Sequence, residues 1–414
     1  MARDVVVTGL GVLSPLGDSA AALHRALCDA PGTPARHLAP VEGFSAEGMP
    51  SARAVELRGF DPARYLGDAN FRPLDRTGQL AACAARLALD DSGWSGAAAA
   101  ERELALIVGT VYGSVHTIAE FDRRGVEAGW LYVKPFDFAN SVINAAAGQT
   151  AIWHHLRGPN STVSAGTASG VQAIALAADL VAGGRVDVAL AGGAEELCWQ
   201  SFLAFARAGM SANGDGTPRP FDSKRSGFAL GEGAAFLVLE SAEGAAGRGA
   251  RVLARVLGHG SAFDPSQGRD EESGAGAVAR AVRLALAHAG VEADAVGAVS
   301  AAASGHRAAD RCEAAGLAAA LGAHAADVPV TAPKGALGEC LGASGALQAV
   351  ALVAALQAGE LPGTAGYGVT DEGFPLRGVR DETQPIDAAI GLVDGVGLDG
   401  PCCALLLGRG EEQA

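Results

Sequence analysis

Short apolar runs rich in β-branched residues alternate along the chain with longer alanine-rich stretches. Val5–Thr8, Leu104–Val108, Val186–Ala191, Ala235–Leu239, Val252–Leu257 and Cys403–Leu407 are apolar at most positions, the pattern of strands buried on both faces. Between them, Gly78–Asp90, Gly170–Ala182, Gly276–Ala289 and Gly345–Ala358 have the length and composition of helices. Two of these, 170–182 and 345–358, are apolar nearly all round, which places them inside the protein, sandwiched between sheets. The alternation predicts a layered α/β fold in two halves, 1–250 and 251–414, packed as one body. Polar segments with Gly and Pro at 31–50, 260–275 and 363–386 read as loops. No short-period repeat is visible.

Composition narrows the class. Aromatic residues make up 5% of the 414, so the core must be built from Ala, Val and Leu, and 58 glycines allow many tight turns and close backbone contacts. A net charge of −15 argues against nucleic acid and against an anionic membrane surface, both of which select a basic face. The seven cysteines are odd in number, lack CxxC spacing, and read as reduced thiols. The start, MARDVVVTGLGVLSPLG, places Asp4 where the apolar core of a signal peptide would begin. The longest apolar run, Gly345–Ala358, is about 14 residues against the roughly 20 that span a bilayer. A cytoplasmic protein without metal or cofactor is expected.

The most informative segment is GPNSTVSAGTASG at 158–170, a strand and a small-residue turn leading into an apolar helix. A helix N-terminus gathers unpaired N–H groups and a partial positive charge. Such a turn suits a cysteine nucleophile, whose pKa falls there from about 8.5 by several units. This chain has Thr167 at that place.

That segment resembles the active-site elbow of the β-ketoacyl synthases, the condensing enzymes of fatty acid and polyketide synthesis, whose pattern reads GPxxTVxTACSSG. Four further segments are similar in order and spacing: VVVTGLGVLSPLG at 5–17, RPFDSKRSGFALGEGAAFLVLE at 219–240, VSAAASGHRAADRCEA at 299–314 and APKGALGECLGASGALQA at 332–349. The resemblance covers the whole chain. It implies a thiolase-like fold of two similar α/β halves in a five-layered αβαβα arrangement.

The resemblance also implies a Cys-His-His site, and this sequence departs from it at all three positions. Thr167 stands for the cysteine, Ala302 for the first histidine and Glu339 for the second. Lys334, Asp310 and Glu313 match supporting groups, while Gln348 replaces a glutamate. The glycine-rich gate SFGFGGTN is here Gly395 to Cys402, with Val396 and Leu398 at its two phenylalanine positions. A threonine hydroxyl needs a strong adjacent base to attack, and a carboxylate beside a developing enolate opposes its charge. Condensation at this site is therefore expected to be negligible.

Within the family this pattern resembles the chain length factor, the non-catalytic subunit of type II polyketide ketosynthases. Many of these carry glutamine where this chain has Thr167. The resemblance implies a heterodimer with a catalytic ketosynthase, and an acyl carrier protein that docks mainly on that partner. It also implies that Gly109–Asp122 crosses the interface, with Tyr112 at the end of the partner's acyl pocket and Val115, His116 and Ile118 adding bulk. Two other functions stay open: an acyltransferase or hydrolase using Thr167 with Glu339, and an inactive homodimeric scaffold that binds carrier protein. Plainer roles are open too. Thr167 can be a filler bonded to backbone, and Glu339 a structural acid paired with Lys334. His306, Asp310 and Glu313, spaced like metal ligands, can be an ordinary helix face.

Overall fold

Successive strand residues point to opposite faces, and in this chain both faces find apolar partners. The computed structural model describes residues 3–30, 37–49, 51–95, 103–267, 269–370 and 374–410. Ten strands join in one mixed sheet: β1 (Val5–Leu13), β2 (Ala105–Gly109), β3 (Asn160–Val163), β4 (Val188–Glu195), β5 (Gly233–Ser241), β6 (Ala254–Phe263), β7 (Ala298–Ser300), β8 (Val330–Thr331), β9 (Ile390–Val396) and β10 (Pro401–Arg409). Their order is β8-β7-β9-β10-β6-β1-β5-β4-β2-β3. Numbered within each set of five, both β3-β2-β4-β5-β1 and β8-β7-β9-β10-β6 read 3-2-4-5-1. The sets meet only where Val5–Val7 of β1 pair antiparallel with Ala254–Val256 of β6.

The helices that build the layers are α1 (Ala20–Cys28), α2 (Arg76–Ser92), α3 (Val115–Ala128), α4 (Ala145–Trp153), α5 (Ser169–Ala182), α6 (Glu271–Ala289), α7 (Arg307–Leu321) and α8 (Ser344–Ala358), with further helices such as Trp199–Arg207 in the connections. Strand alternation assigns them to layers. Ile107, Ala191, Leu237, Leu405 and Leu407 share one core with residues of α5 and α8. The intervening Leu106, Val108, Leu190, Phe236 and Val238 face α2 and α4. Leu392, Ala404 and Leu406 face α6 and α7. The result is five layers, helix–sheet–helix–sheet–helix, with α5 and α8 in the middle. These two cross at glycines: a Cβ on Gly170 would lie 2.7 Å from Ala346 N, and one on Gly345 2.7 Å from Val171 N. No other residue fits that approach.

Three expectations shift. Segment 260–275 is mostly not loop, because β6 runs to Phe263 and α6 starts at Glu271. The polarity that suggested a loop belongs to the cap of α6, where the Asp270 carboxylate accepts from Glu272 N at 3.1 Å. The apolar helical stretch around α8 is longer than expected. Leu341–Ala358 has 18 residues, enough by length and composition to cross a membrane, but 83% of it is buried inside the fold, as a core helix is. The sequence pattern also missed α1, α3, α4 and β7–β9, and found α7 only as the helix face of His306, Asp310 and Glu313. Parts of the expected loops, 31–36 and 371–373, and residue 50, lie outside the described residues.

Candidate functional site

The elbow forms as expected. Chain leaving β3 turns at Gly166, whose φ is 53°, and enters α5 at Ser169. A Cβ there would also meet Asp399 Oδ1 at 2.0 Å, the tip of an exposed side chain that can turn aside, so the positive φ is what favours glycine. Ser169 Oγ ties the turn by accepting from Ala165 N at 2.8 Å and donating to Gly166 O at 2.6 Å. Thr167 is only 4% exposed. Its hydroxyl donates to Val396 O at 2.7 Å, so its single proton is committed to a main-chain carbonyl.

Ala302 lies across β9 from this turn. Its N–H donates to Glu313 Oε1 at 2.6 Å and to Asp394 Oδ1 at 3.0 Å. Burial and the adjacent Asp394 charge push the Glu313 carboxyl well up, and burial raises Asp394 to about 6. Two acids facing one N–H in a dry site hold a proton between them. Gln348 Nε2 donates to Ser300 O at 3.3 Å and Asp394 O at 3.2 Å. Strand β9 thus gathers the elements: Asp394 reaches Ala302, a Cβ on Gly395 would touch Ala168, and Val396 O takes the Thr167 proton.

Glu339 and Lys334 are buried together, 2% and 3% exposed. Lys334 Nζ donates to Glu339 Oε2 at 2.8 Å. Leu341 N and Ser344 Oγ donate to Oε1 at 3.0 and 2.7 Å. Leu341 holds a left-handed backbone, φ 49°, to make its contact. Both carboxylate oxygens are engaged, and Lys334 lies near enough to Glu313 and Asp394 to lower both pKa values. The metal-like trio on α7 separates into three tasks. His306 caps the helix by accepting from Ala309 N at 3.3 Å, Asp310 accepts from Phe221 N, Ser304 N and Gly305 N, and Glu313 serves Ala302. The RPFD and GEGA stretches are framework as well. Asp222 accepts from Gly368 N and Val369 N, and Glu232 is gripped by Arg76 at 2.7 and 2.8 Å.

The gate residues Val396 and Leu398 flank a closed turn, with Gly397 N bonded to Pro401 O at 2.7 Å. The turn at 110–114, expected to cross an interface, rests on two acids that the sequence pattern did not reveal. Glu195 accepts from Val111 N at 2.6 Å, Tyr112 N at 2.9 Å, Thr110 Oγ1 at 3.1 Å and Gly342 N at 3.1 Å. Glu196 accepts from His116 N at 3.3 Å. Burial raises Glu195 to about 7 and Glu196 to about 8. Tyr112 is 38% exposed, its ring 6.3 Å from that of Phe205. Val115 and Ile118 are half-buried, and His116 is exposed with Nδ1 3.3 Å from Gln200 Oε1. All seven cysteines are free, Cys402 and Cys403 included.

Beyond that turn lies an exposed apolar face: Val126, Trp130, Leu131, Tyr132, Phe136, Phe138, with Leu131 97% exposed. A third of all Phe, Tyr and Trp in this aromatic-poor chain lie between Tyr112 and Trp153, a signal the sequence offered. The outer edge of β3 is open as well, with Asn160 and Ser161 exposed.

Residues 2–245 match the family model "Beta-ketoacyl synthase, N-terminal domain" and residues 253–368 match "Beta-ketoacyl synthase, C-terminal domain". The chain is 36% identical to a protein of Streptomyces coelicolor with the provisional name polyketide beta-ketoacyl synthase 2, over 99% of this chain and 95% of that one. It is 31% identical to 3-oxoacyl-[acyl-carrier-protein] synthase 2 of Coxiella burnetii, over 98% and 99%. Among solved structures, that described as "The ishigamide ketosynthase/chain length factor" superposes with a TM-score of 0.89 at 33% identity, covering 99% of this chain and all of the other.

Proposed function

This chain belongs to the β-ketoacyl synthase family, and on that premise we propose that it is a chain length factor: a subunit that pairs with a catalytic ketosynthase, shapes the shared acyl tunnel and performs no condensation itself. One observation carries the proposal. Where the family's chemistry calls for an uncharged donor, Glu339 holds a buried ion pair with Lys334 and spends its other oxygen on Leu341 N and Ser344 Oγ. A carboxylate so engaged is a poor base, and it opposes rather than stabilises an enolate. Thr167 has no base beside it, its hydroxyl being bonded to a carbonyl.

A partner of the same fold fits the outside. An open strand edge accepts another strand, and a neighbouring aromatic face supplies the anchors that dominate association. The carrier protein, itself acidic, docks on the partner rather than on a chain of charge −15. Tyr112, presented by the turn that Glu195 holds, sets product length by filling the tunnel end, with Val115, His116 and Ile118 behind it. Tyr112→Ala lengthens the product in reconstituted synthesis; an unchanged product distribution counts against that role.

The test is native mass spectrometry of the complex captured on this chain. A one-to-one assembly with a second ketosynthase-like chain, acylated on the partner alone, supports the proposal. A homodimer acylated on this chain would promote Thr167 to a nucleophile, and an unacylated homodimer would leave a carrier-binding scaffold.

A further inference from the structure

We infer that His24, Cys28 and Glu360 form a binding site for zinc or a similar divalent cation, completed by water. None of the three belongs to the site described above. His24 and Cys28 stand four residues apart on α1 and share a face. Glu360 opens the two-residue strand that follows α8 and pairs with Gln384–Pro385. Ligand atoms of the three lie within 4.8 Å of one another.

The spacing is that of a coordination edge. His24 Nε2 lies 3.6 Å from Cys28 Sγ. A tetrahedral zinc, with bonds of about 2.3 Å to sulfur and about 2.0 Å to nitrogen, sets those atoms about 3.5 Å apart. Two ligands therefore already stand at zinc distance on a rigid helix. Imidazole, thiol and carboxylate form a donor set that favours zinc over calcium or magnesium, which seek oxygen alone.

The surroundings agree. His24 is buried, 8% exposed, so its imidazole is fixed in place on α1. Among the cysteines, Cys28 alone is not fully buried. The Thr383 hydroxyl donates to the Cys28 main-chain carbonyl at 3.1 Å, tying the end of α1 beside the thiol. Glu360 and the neighbouring Asp29 bring negative charge to the thiol, and that charge attracts a dication. A groove of about 660 Å³ borders His24, while Cys28 is part-exposed and Glu360 exposed in their own right. Binding displaces the thiol proton to solvent and changes no oxidation state. The metal would clip α1, in the N-terminal half, to the segment that leaves α8 in the other.

The test uses the full-length chain, stripped of metal and titrated first with zinc and then with cobalt. The expected result is one zinc per chain at micromolar affinity or tighter, one proton released, and a thiolate-to-cobalt charge-transfer band. Cys28→Ser abolishes the band and weakens zinc binding roughly tenfold or more, and Glu360→Gln keeps the band with weaker binding. His24→Gln, at the other end of the coordination edge, also weakens binding. No charge-transfer band at saturating cobalt, or the same zinc stoichiometry and affinity in Cys28→Ser and His24→Gln, overturns the site.

Discussion

The two sets of five strands share one order, 3-2-4-5-1, yet their outer edges are finished differently. In the C-terminal set the edge strand β8 is buried, and its own chain covers it: Val330 bridges Val379, with Val330 N bonded to Gly378 O at 3.2 Å. In the N-terminal set the edge strand β3 ends the sheet with Asn160 and Ser161 exposed, and the same half carries an uncovered aromatic face. Unprotected edges invite association, and a chain that caps one of two equivalent edges keeps the other for a second chain. The interior follows the same division. The elbow and the Lys334–Glu339 pair, at the family's reacting positions, are closed on themselves, while the turn at Tyr112 faces outward.

The contrast predicts that closed-region changes cost stability and open-region changes cost association. Lys334→Met has the largest effect. It strands a buried carboxylate and lowers unfolding free energy by about 3–5 kcal/mol, read by chemical denaturation. The cost disappears in large part in Lys334→Met/Glu339→Leu; equal loss in both variants would contradict the ion-pair account. Val379→Ala thins the cover of β8 and costs about 2 kcal/mol of stability with partner affinity unchanged. Leu131→Glu does the reverse. At a position 97% exposed it leaves the melting temperature unchanged but weakens the complex roughly 30-fold, about 2 kcal/mol, measured by titration against the partner. Unchanged affinity would remove this face from the interface.

The smallest effect sharpens the account of the interface turn. Burial raises Glu196 to about 8, so the folded state holds a proton that the unfolded state gives up near 4.5. A raised acid pKa costs stability as pH climbs through that interval and nothing below it. Glu196→Gln therefore matches the parent at pH 4 and exceeds it in stability at pH 9, read by chemical denaturation at both pH values. A parallel pair of stability curves would contradict the shift.

Much of this was legible in the residues. The apolar strand runs, the two all-apolar helices and the elbow at Gly166–Thr167 all lie where the sequence places them, because burial on both faces leaves a pattern no surface element shares. The short strands β7–β9 were not legible, since two to seven residues without alternation carry little periodicity. Glu195 and Glu196 were missed although two acids end the apolar run VALAGGAEE, where buried carboxylates are costly unless backbone N–H groups meet them. The role of Asp394 was hidden for a different reason: it acts on Ala302, 92 residues away in sequence.

The most direct test of the central claim is condensation by the reconstituted heterodimer carrying Thr167→Ala. The account predicts turnover within about twofold of the parent complex, with acyl groups confined to the partner's cysteine, since the Thr167 hydroxyl only braces Val396 O. A tenfold or greater loss of turnover, or an acyl group on Thr167 of the parent chain, would contradict it.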